Sequence, residues 1–211
     1  MSDGIILIDK PSGITSFDVI RKLRRVIGVR KIGHAGTLDP LATGLLIIGV
    51  GTATKELTAL VGLPKAYEAE ILLGSRTDTS DVDGKVLETS PVPIFSQIDI
   101  EKVIGGMKGE IDLPVSLYSA IKKDGKPLYK YARNGESVEA PIRKMIVRDA
   151  RFVSYENNIV RTVFDVSSGT YVRSLAEELA RRLGTIGTIQ NLRRISIGDY
   201  DVKDAKKLED F

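Results

Sequence analysis

Gly33-His34-Ala35-Gly36-Thr37-Leu38-Asp39-Pro40-Leu41-Ala42-Thr43-Gly44 gathers three glycines, a proline, a carboxylate and the only histidine of the chain into one short stretch. Pro40 disfavours helix at the residue before it, so Asp39 is held extended. The glycines let backbone pass close to another group without a Cβ in the way. A carboxylate displayed on a shaped loop suits a nucleophile or a base. The competing reading is a tight loop in which Asp39 only caps a turn, and residue types alone leave both open.

Outward from this loop, Leu45 to Val50 reads as a buried strand and Thr54 to Val61 as a short helix, with 29–44 itself expected to be loop. Upstream, Gly4 to Asp9 is a short strand and Lys10-Pro11-Ser12-Gly13 a turn. Ser16 to Ile27 is expected to be helical, capped by Ser16, stopped by Gly28, and buried along Val19, Leu23, Val26 and Ile27. Downstream, Tyr67 to Leu73 is a strand, Asp78 to Gly84 a polar turn, Val86-Leu87 extended and Ile98 to Met107 a helix. Lys122 to Lys126 reads as a hairpin tip and Leu128 to Arg133 as a basic helical turn. Val160, Thr162, Phe164 and Val166 alternate as a half-buried strand. Tyr171 to Leu183 has a helical apolar face of Val172, Leu175, Ala176, Leu179 and Leu183, ended by Gly184. Ile195 to Gly198 is a last strand. Helices and strands mix without strict alternation, which predicts α+β rather than doubly wound α/β. No repeat or linker suggests a cut, so residues 1–211 are expected to form one domain.

Composition narrows the chemistry. The 211 residues include 31 Lys or Arg, 28 Asp or Glu, one His and no Cys, for a net charge of +3. Disulfides, thiolate zinc sites and Cys nucleophiles are excluded, and one His cannot supply the His pairs of most catalytic zinc sites. No metal is expected. The longest uncharged stretch runs from Pro40 to Thr54, short of the ~20 apolar residues of a membrane helix. Asp3 and Asp9 bracket a four-residue apolar run, which is no signal peptide. A soluble, intracellular protein is the expectation. Gly44-x-x-x-x-Gly49 is followed by Val50 where a P-loop needs Lys. Asp81-Val82-Asp83-Gly84 lacks the first and last ligands of an EF-hand loop.

Charge is segregated along the chain. Arg21, Lys22, Arg24, Arg25, Arg30 and Lys31 follow one another with no acid between them. From Lys122 to Arg151 there are nine Lys or Arg against four acids, whereas Asp78 to Asp112 holds eight acids against three lysines. Basic runs of this kind fit a polyanion, or else are solvated helix faces.

The loop resembles motif II of the TruB family of tRNA pseudouridine synthases, GHxGxLDPxAxGxL, with Gly33, His34, Asp39, Pro40, Gly44 and Leu46 in place. The likeness extends along the chain. Asp9-Lys10-Pro11-x-Gly13 resembles the family's N-terminal motif. Lys65-Ala66-Tyr67 and Leu73-Gly74-x-x-Thr77-x-Thr79-x-Asp81-x-x-Gly84 resemble the strand and turn after the catalytic loop. Tyr118-Ser119-Ala120-Ile121-Lys122 and Leu128-Tyr129-x-Tyr131-Ala132-Arg133-x-Gly135 resemble the RNA-gripping region. Ser168-Gly169-Thr170-Tyr171-Val172-Arg173 resembles motif III, and Leu192-Arg193-Arg194 the segment beyond it. Blocks matched in order along the whole chain make the signal specific.

This resemblance implies the pseudouridine synthase fold, with a central, mixed, largely antiparallel sheet flanked by helices and an RNA cleft. It implies a cofactor-free isomerase that converts uridine 55 in the T-loop of tRNA to pseudouridine, acting as a cytoplasmic monomer. By the same resemblance, Asp39 is the essential carboxylate, and Arg173 is its partner cation, a placement near a helix start that the helix dipole disfavours unless a carboxylate is close. Without the resemblance, Arg173 reads as a surface i,i+4 partner of Glu177. Tyr67 is implied to stack on the target uracil, and otherwise reads as a core tyrosine. His34, Tyr171, Leu192, Lys10, Gly36 and Leu38 are the implied substrate-binding positions, Lys10 chiefly by shaping the loop. The target base is extruded from its stack. Arg21, Arg24, Arg25, Arg30, Lys31, Lys122, Lys126, Lys130, Arg133, Arg193 and Arg194 are the candidates for gripping the RNA backbone. Many bacterial members add a C-terminal PUA domain, and the chain reads as a short form without one, either a naturally short member or a truncated one. Two other classes stay open: an RNA-binding or tRNA-folding module, and a glycoside-cleaving enzyme, although the latter normally needs paired carboxylates.

Overall fold

The computed structural model describes residues 3–211. In chain order its elements are β1 (Gly4–Lys10), α1 (Ser16–Ile27), β2 (Ile32–Ala35), β3 (Thr43–Val50), α2 (Leu57–Val61), β4 (Lys65–Leu73), β5 (Ser75–Thr77), β6 (Val86–Thr89), α3 (Gln97–Gly105), β7 (Gly109–Pro114), β8 (Lys122–Lys123), β9 (Lys126–Pro127), α4 (Leu128–Arg133), β10 (Ile142–Glu156), β11 (Ile159–Val166), α5 (Val172–Arg182), β12 (Gly187–Ile197), β13 (Tyr200–Asp201) and β14 (Lys206–Lys207). Parallel and antiparallel pairs mix, and the fold is α+β. Two compact units are interleaved in sequence. The first takes 3–68, Asp165–Ser168 and Asn191–Phe211, and the second Ala69–Phe164 and Gly169–Gln190. Strands β4, β11 and β12 each supply residues to both.

In the first unit β3 is the organising strand. Its Leu45-Leu46-Ile47-Ile48 run is buried on both faces, which is why it reads as continuously apolar rather than alternating. Leu46, Ile48 and Val50 pack with Val19, Ile20 and Leu23 of α1 and with Ile8 of β1. Leu45 and Ile47 face the other way, with Ala35, Leu57 and Ile197. One edge of β3 pairs antiparallel with β1 over its whole length, from Gly4↔Val50 to Lys10↔Gly44. The other edge is shared. Strand β2 pairs with Ile47 to Val50, and β12 runs parallel against Thr43 and Gly44. Residues 36–42 are therefore the connection of a β2–β3 hairpin, not part of a long structureless loop as the sequence suggested.

Helix α1 has the expected bounds but not the expected cap. Thr15 is the N-cap, its hydroxyl accepting the Asp18 N–H while the Asp18 carboxylate accepts the Thr15 N–H, a reciprocal capping box. Gly28 ends the helix in the left-handed region. Val26 is exposed and Ile20 buried, so the apolar stripe runs along Val19, Ile20 and Leu23 with Ile27 partly buried, and leaves out Val26.

In the second unit β10 pairs antiparallel with β7, from Ile142↔Pro114 to Val147↔Gly109. It turns into β11 through Asn157-Asn158, both at positive φ. That geometry matches the right-handed twist of the strands it joins. Asp124-Gly125 makes the corresponding turn between β8 and β9. Helix α5 buries Val172, Leu175, Ala176, Leu179 and Ala180, and Leu183 follows them into the core.

Candidate active site

Asp39 sits half-buried on the β2–β3 connection, and the backbone around it is held at almost every residue. The Pro40 carbonyl accepts the Gly13 N–H at 2.9 Å and the Lys10 ammonium at 3.2 Å. Lys10 Nζ also donates to the carbonyls of Pro11 (2.8 Å) and Ile14 (2.7 Å), tying the N-terminal turn to the loop. Ser12 Oγ donates to the Leu41 carbonyl at 3.0 Å. The Ala42 N–H closes a turn onto the Asp39 carbonyl at 3.1 Å. Ser16 Oγ accepts the Leu38 N–H at 2.9 Å and donates to the Leu38 carbonyl at 3.2 Å. Arg194 Nε donates to the Leu45 carbonyl at 2.7 Å, and its Nη2 to the Gly36 carbonyl at 3.0 Å.

Three cations are thus buried in the first unit beside this loop: Lys10, Lys65 and Arg194. Lys65 Nζ donates to the carbonyls of Val61 (2.9 Å) and Leu63 (2.7 Å). Burial lowers both lysines to about 8, Arg194 adding to the effect while Asp39 pulls Lys10 the other way. Gly36 lies between two of these cations: a Cβ there would touch Lys65 Cε at 3.4 Å and Arg194 Nη1 at 3.5 Å. His34, on β2 opposite Ile48, is pushed below its ordinary value by burial and then by the Arg194 charge, which favours the neutral imidazole. Its Nδ1 is buried with no hydrogen-bond partner among the described residues.

Tyr67 lies on the buried face of β4 with Lys65, 7% exposed. Leu192 on β12 is also buried. Arg193 reaches Asp9 of β1 with both nitrogens, at 2.7 and 3.0 Å. These two residues clasp β1 and β12 on either side of the start of β3.

In the second unit Arg173 occupies the first turn of α5 and is buried. Its guanidinium donates to the Thr79 carbonyl (2.7 Å), Ser116 Oγ (2.8 Å) and the Tyr118 carbonyl (3.0 Å). Glu177 accepts from Ser80 Oγ at 2.7 Å. The surface i,i+4 pair expected from spacing alone is therefore not the setting of Arg173. Tyr171 is the half-buried N-cap residue of α5.

Several of the residues expected to meet RNA or substrate are engaged within the protein. Arg194 is 1% exposed and Lys10 0%, and both side chains are spent on carbonyls of the loop. Leu38 is buried as well, and both polar groups of its peptide are taken by Ser16. Arg193 is committed to Asp9, and Lys126 to both oxygens of Glu136 at 2.6 Å. Arg24 turns back to the Ile32 carbonyl at 3.3 Å and, with Arg21, flanks the ring of exposed Phe17. Arg21 also pairs with Asp18. Arg25, Arg30, Lys31, Lys122, Lys130 and Arg133 are exposed, Arg133 lying over the Tyr129 ring.

Ser16 and Lys65 were not singled out from sequence as parts of the site. A signal for Ser16 was present: Thr15-x-x-Asp18 has capping-box spacing, which assigns the cap to Thr15 and leaves the Ser16 hydroxyl for another task. Among the described residues no group of three or more His, Cys, Asp or Glu is arranged to hold a metal ion. No described helix is long and apolar enough to cross a membrane.

A pinned acidic turn over buried cations shares its unit with a helix that carries exposed basic residues. Comparison with known proteins narrows the class to the pseudouridine synthases. The chain belongs to the TruB family of pseudouridylate synthases, whose N-terminal-domain model matches residues 24–172. It is similar to the tRNA pseudouridine synthase B of Aromatoleum aromaticum, 43% identical over 98% of this chain and 67% of that protein. With the tRNA pseudouridine synthase B of Endomicrobium trichonymphae it shares 42% identity, over 99% of this chain and 90% of that one. Among solved structures, a chain of a Cbf5-Nop10-Gar1 complex superposes with a TM-score of 0.76 at 26% identity. That match covers 98% of this chain and about half of the other (53%).

Proposed function

We infer that this protein isomerises uridine to pseudouridine at position 55 in the T-loop of tRNA. The observation that carries this reading is the Asp39 turn, held in place through its backbone, in a chain alike over nearly its whole length to tRNA pseudouridine synthases B. The reaction breaks the glycosidic bond from C1′ to N1, turns the uracil and joins C5 to C1′; C5 gives up its proton and N1 takes one up. Atoms balance within the nucleotide, so no redox partner or group donor is consumed.

Asp39 is assigned as the carboxylate that attacks the nucleotide or accepts its proton, and Arg173 as the cation that serves it. Tyr67 stacks on the extruded uracil, Leu192 packs against it, and His34 with Tyr171 and Gly36 supports the opened loop. Arg25, Arg30 and Lys31, with Lys122, Lys130 and Arg133, hold phosphates without reading sequence. The residues act together as one catalytic domain, a monomer working in the cytoplasm, and binding of the T-arm also assists tRNA folding.

The test is release of tritium from C5 of the target uridine in a T-arm RNA, with wild type beside Asp39→Asn. Wild type is expected to release the label, and the variant to bind the RNA but to be slower by at least ~10³-fold, since the reacting group itself is removed. Release by Asp39→Asn at the wild-type rate would overturn the assignment. Tight binding without release by wild type would favour a tRNA-folding module, and free uracil among the products a glycoside-cleaving enzyme.

A further inference from the structure

Leu38 and Gly36 owe their positions to side chains with no place in the chemistry above. Ser16 stands in the first turn of α1, yet Thr15 caps that helix, so the Ser16 hydroxyl is not spent there. It is 1% exposed and engages both polar groups of one peptide residue, the N–H and the carbonyl of Leu38, immediately before Asp39. Arg194 meets the same segment from the opposite side in sequence. Its backbone lies against Gly44 in the parallel β3–β12 ladder, so close that a Cβ at Gly44 would fall 2.3 Å from the Arg194 carbonyl oxygen. Its guanidinium then spans the hairpin connection, with the Leu45 carbonyl at one end and the Gly36 carbonyl at the other.

We propose that Ser16 and Arg194 are positioning residues that together fix Asp39: Arg194 closes the two ends of the 36–45 segment, and Ser16 fixes the peptide next to the carboxylate. The proposal rests on the reading of Asp39 as the reacting group. The physical reason for two side chains is reach. A seven-residue connection anchored only at its ends leaves the middle free to shift, whereas a hydroxyl that both donates and accepts fixes the orientation of the Leu38 peptide. Both anchors are buried, so the loop groups they serve have no water to turn to when an anchor is lost.

Two variants test this. Ser16→Ala removes one hydroxyl at the end of a helix that keeps its cap. Arg194→Lys keeps the buried charge but replaces a planar fork, which reaches the two carbonyls from separate nitrogens, by a single point donor. Each is measured for thermal melting, T-arm affinity, single-turnover tritium release at saturating enzyme, and hydrogen–deuterium exchange of residues 36–45. Misplacing a reacting group by about 1 Å costs about 10²-fold, so Arg194→Lys is expected to lose about that much in rate and Ser16→Ala about tenfold. RNA affinity should stay within about threefold, because the loss is in the reacting geometry rather than in ground-state binding. Exchange should rise in residues 36–45 and stay unchanged in Val19 to Leu23.

A folded Ser16→Ala or Arg194→Lys protein with the wild-type rate overturns the proposal for that residue. So does a rate loss matched by an equal loss of affinity, or unfolding of both variants, since the residues would then serve the whole core rather than the loop. The exchange measurement needs no activity. Faster exchange in 36–45 with a wild type that releases no tritium would keep the clamp and defeat the functional reading; release by wild type with unaltered exchange in the variants would do the opposite.

Discussion

Thr15 and Ser16 are adjacent, chemically alike, and do different work. Replacing Thr15 by Ala removes the side chain that caps α1 and is expected to cost ~1 kcal/mol in chemical denaturation, with the tritium-release rate nearly kept. Lys65 makes a second prediction at this scale. Burial holds Lys10 and Lys65 at about 8, whereas an unfolded lysine keeps its proton to about pH 10.4. Between those limits the unfolded chain binds more protons than the folded one, so stability contributed by these groups rises with pH from 8 to 10.4. Melting curves from pH 7 to 10 should show that rise in wild type and a shallower one in Lys65→Met; parallel curves would mean that Lys65 is not held uncharged-prone by its surroundings. The acid of the site was legible in sequence because Pro40 and the glycines mark its loop. Of the cations beneath it only Lys10 was, and that through the resemblance, since nothing local distinguishes a buried Arg194 from an exposed one. Its acceptors lie 149 and 158 residues away.

Strands and helices differed in how plainly the sequence announced them. Helix α5 combines a 3.6-residue apolar stripe with a terminating glycine, and α4 follows a turn whose Asp-Gly pair favours positive φ. Strand β10 gave no comparable signal. Of its 15 residues only Met145 and Val147 are buried, and the rest of its pattern is broken by charges facing solvent. Strand β2 was hidden among glycines and read as loop. Close packing between elements yields another prediction. A Cβ on Gly187 of β12 would lie 2.7 Å from Ala180 Cβ on α5 and 3.3 Å from the Leu72 carbonyl oxygen. Gly187→Ala must push helix from strand, and overpacking of this kind costs about 1–3 kcal/mol. Urea denaturation should show that loss, and wild-type stability in the variant would mean that α5 slides without strain.

At the scale of the whole molecule, the family was legible because its motifs recur in order from Asp9 to Arg194, whereas the two interleaved units were not. A linker would have marked a boundary, but the chain passes between units inside β4, β11 and β12 and in the short turn before α5. Charge segregation was legible as well, and it gives the last prediction. Each phosphate contact contributes about one unit to the slope of log affinity against log salt, so Arg25→Ala with Lys31→Ala should flatten the slope for T-arm RNA by about two. An unchanged slope would move α1 off the RNA. The Gly36–Arg194 hydrogen bond, finally, joins residues 158 apart. During synthesis at about 5–20 residues per second, roughly 8–30 s separate the emergence of the acidic turn from that of the arginine that spans it. The nascent polypeptide therefore carries Asp39 on an unfastened hairpin until Arg194 has emerged.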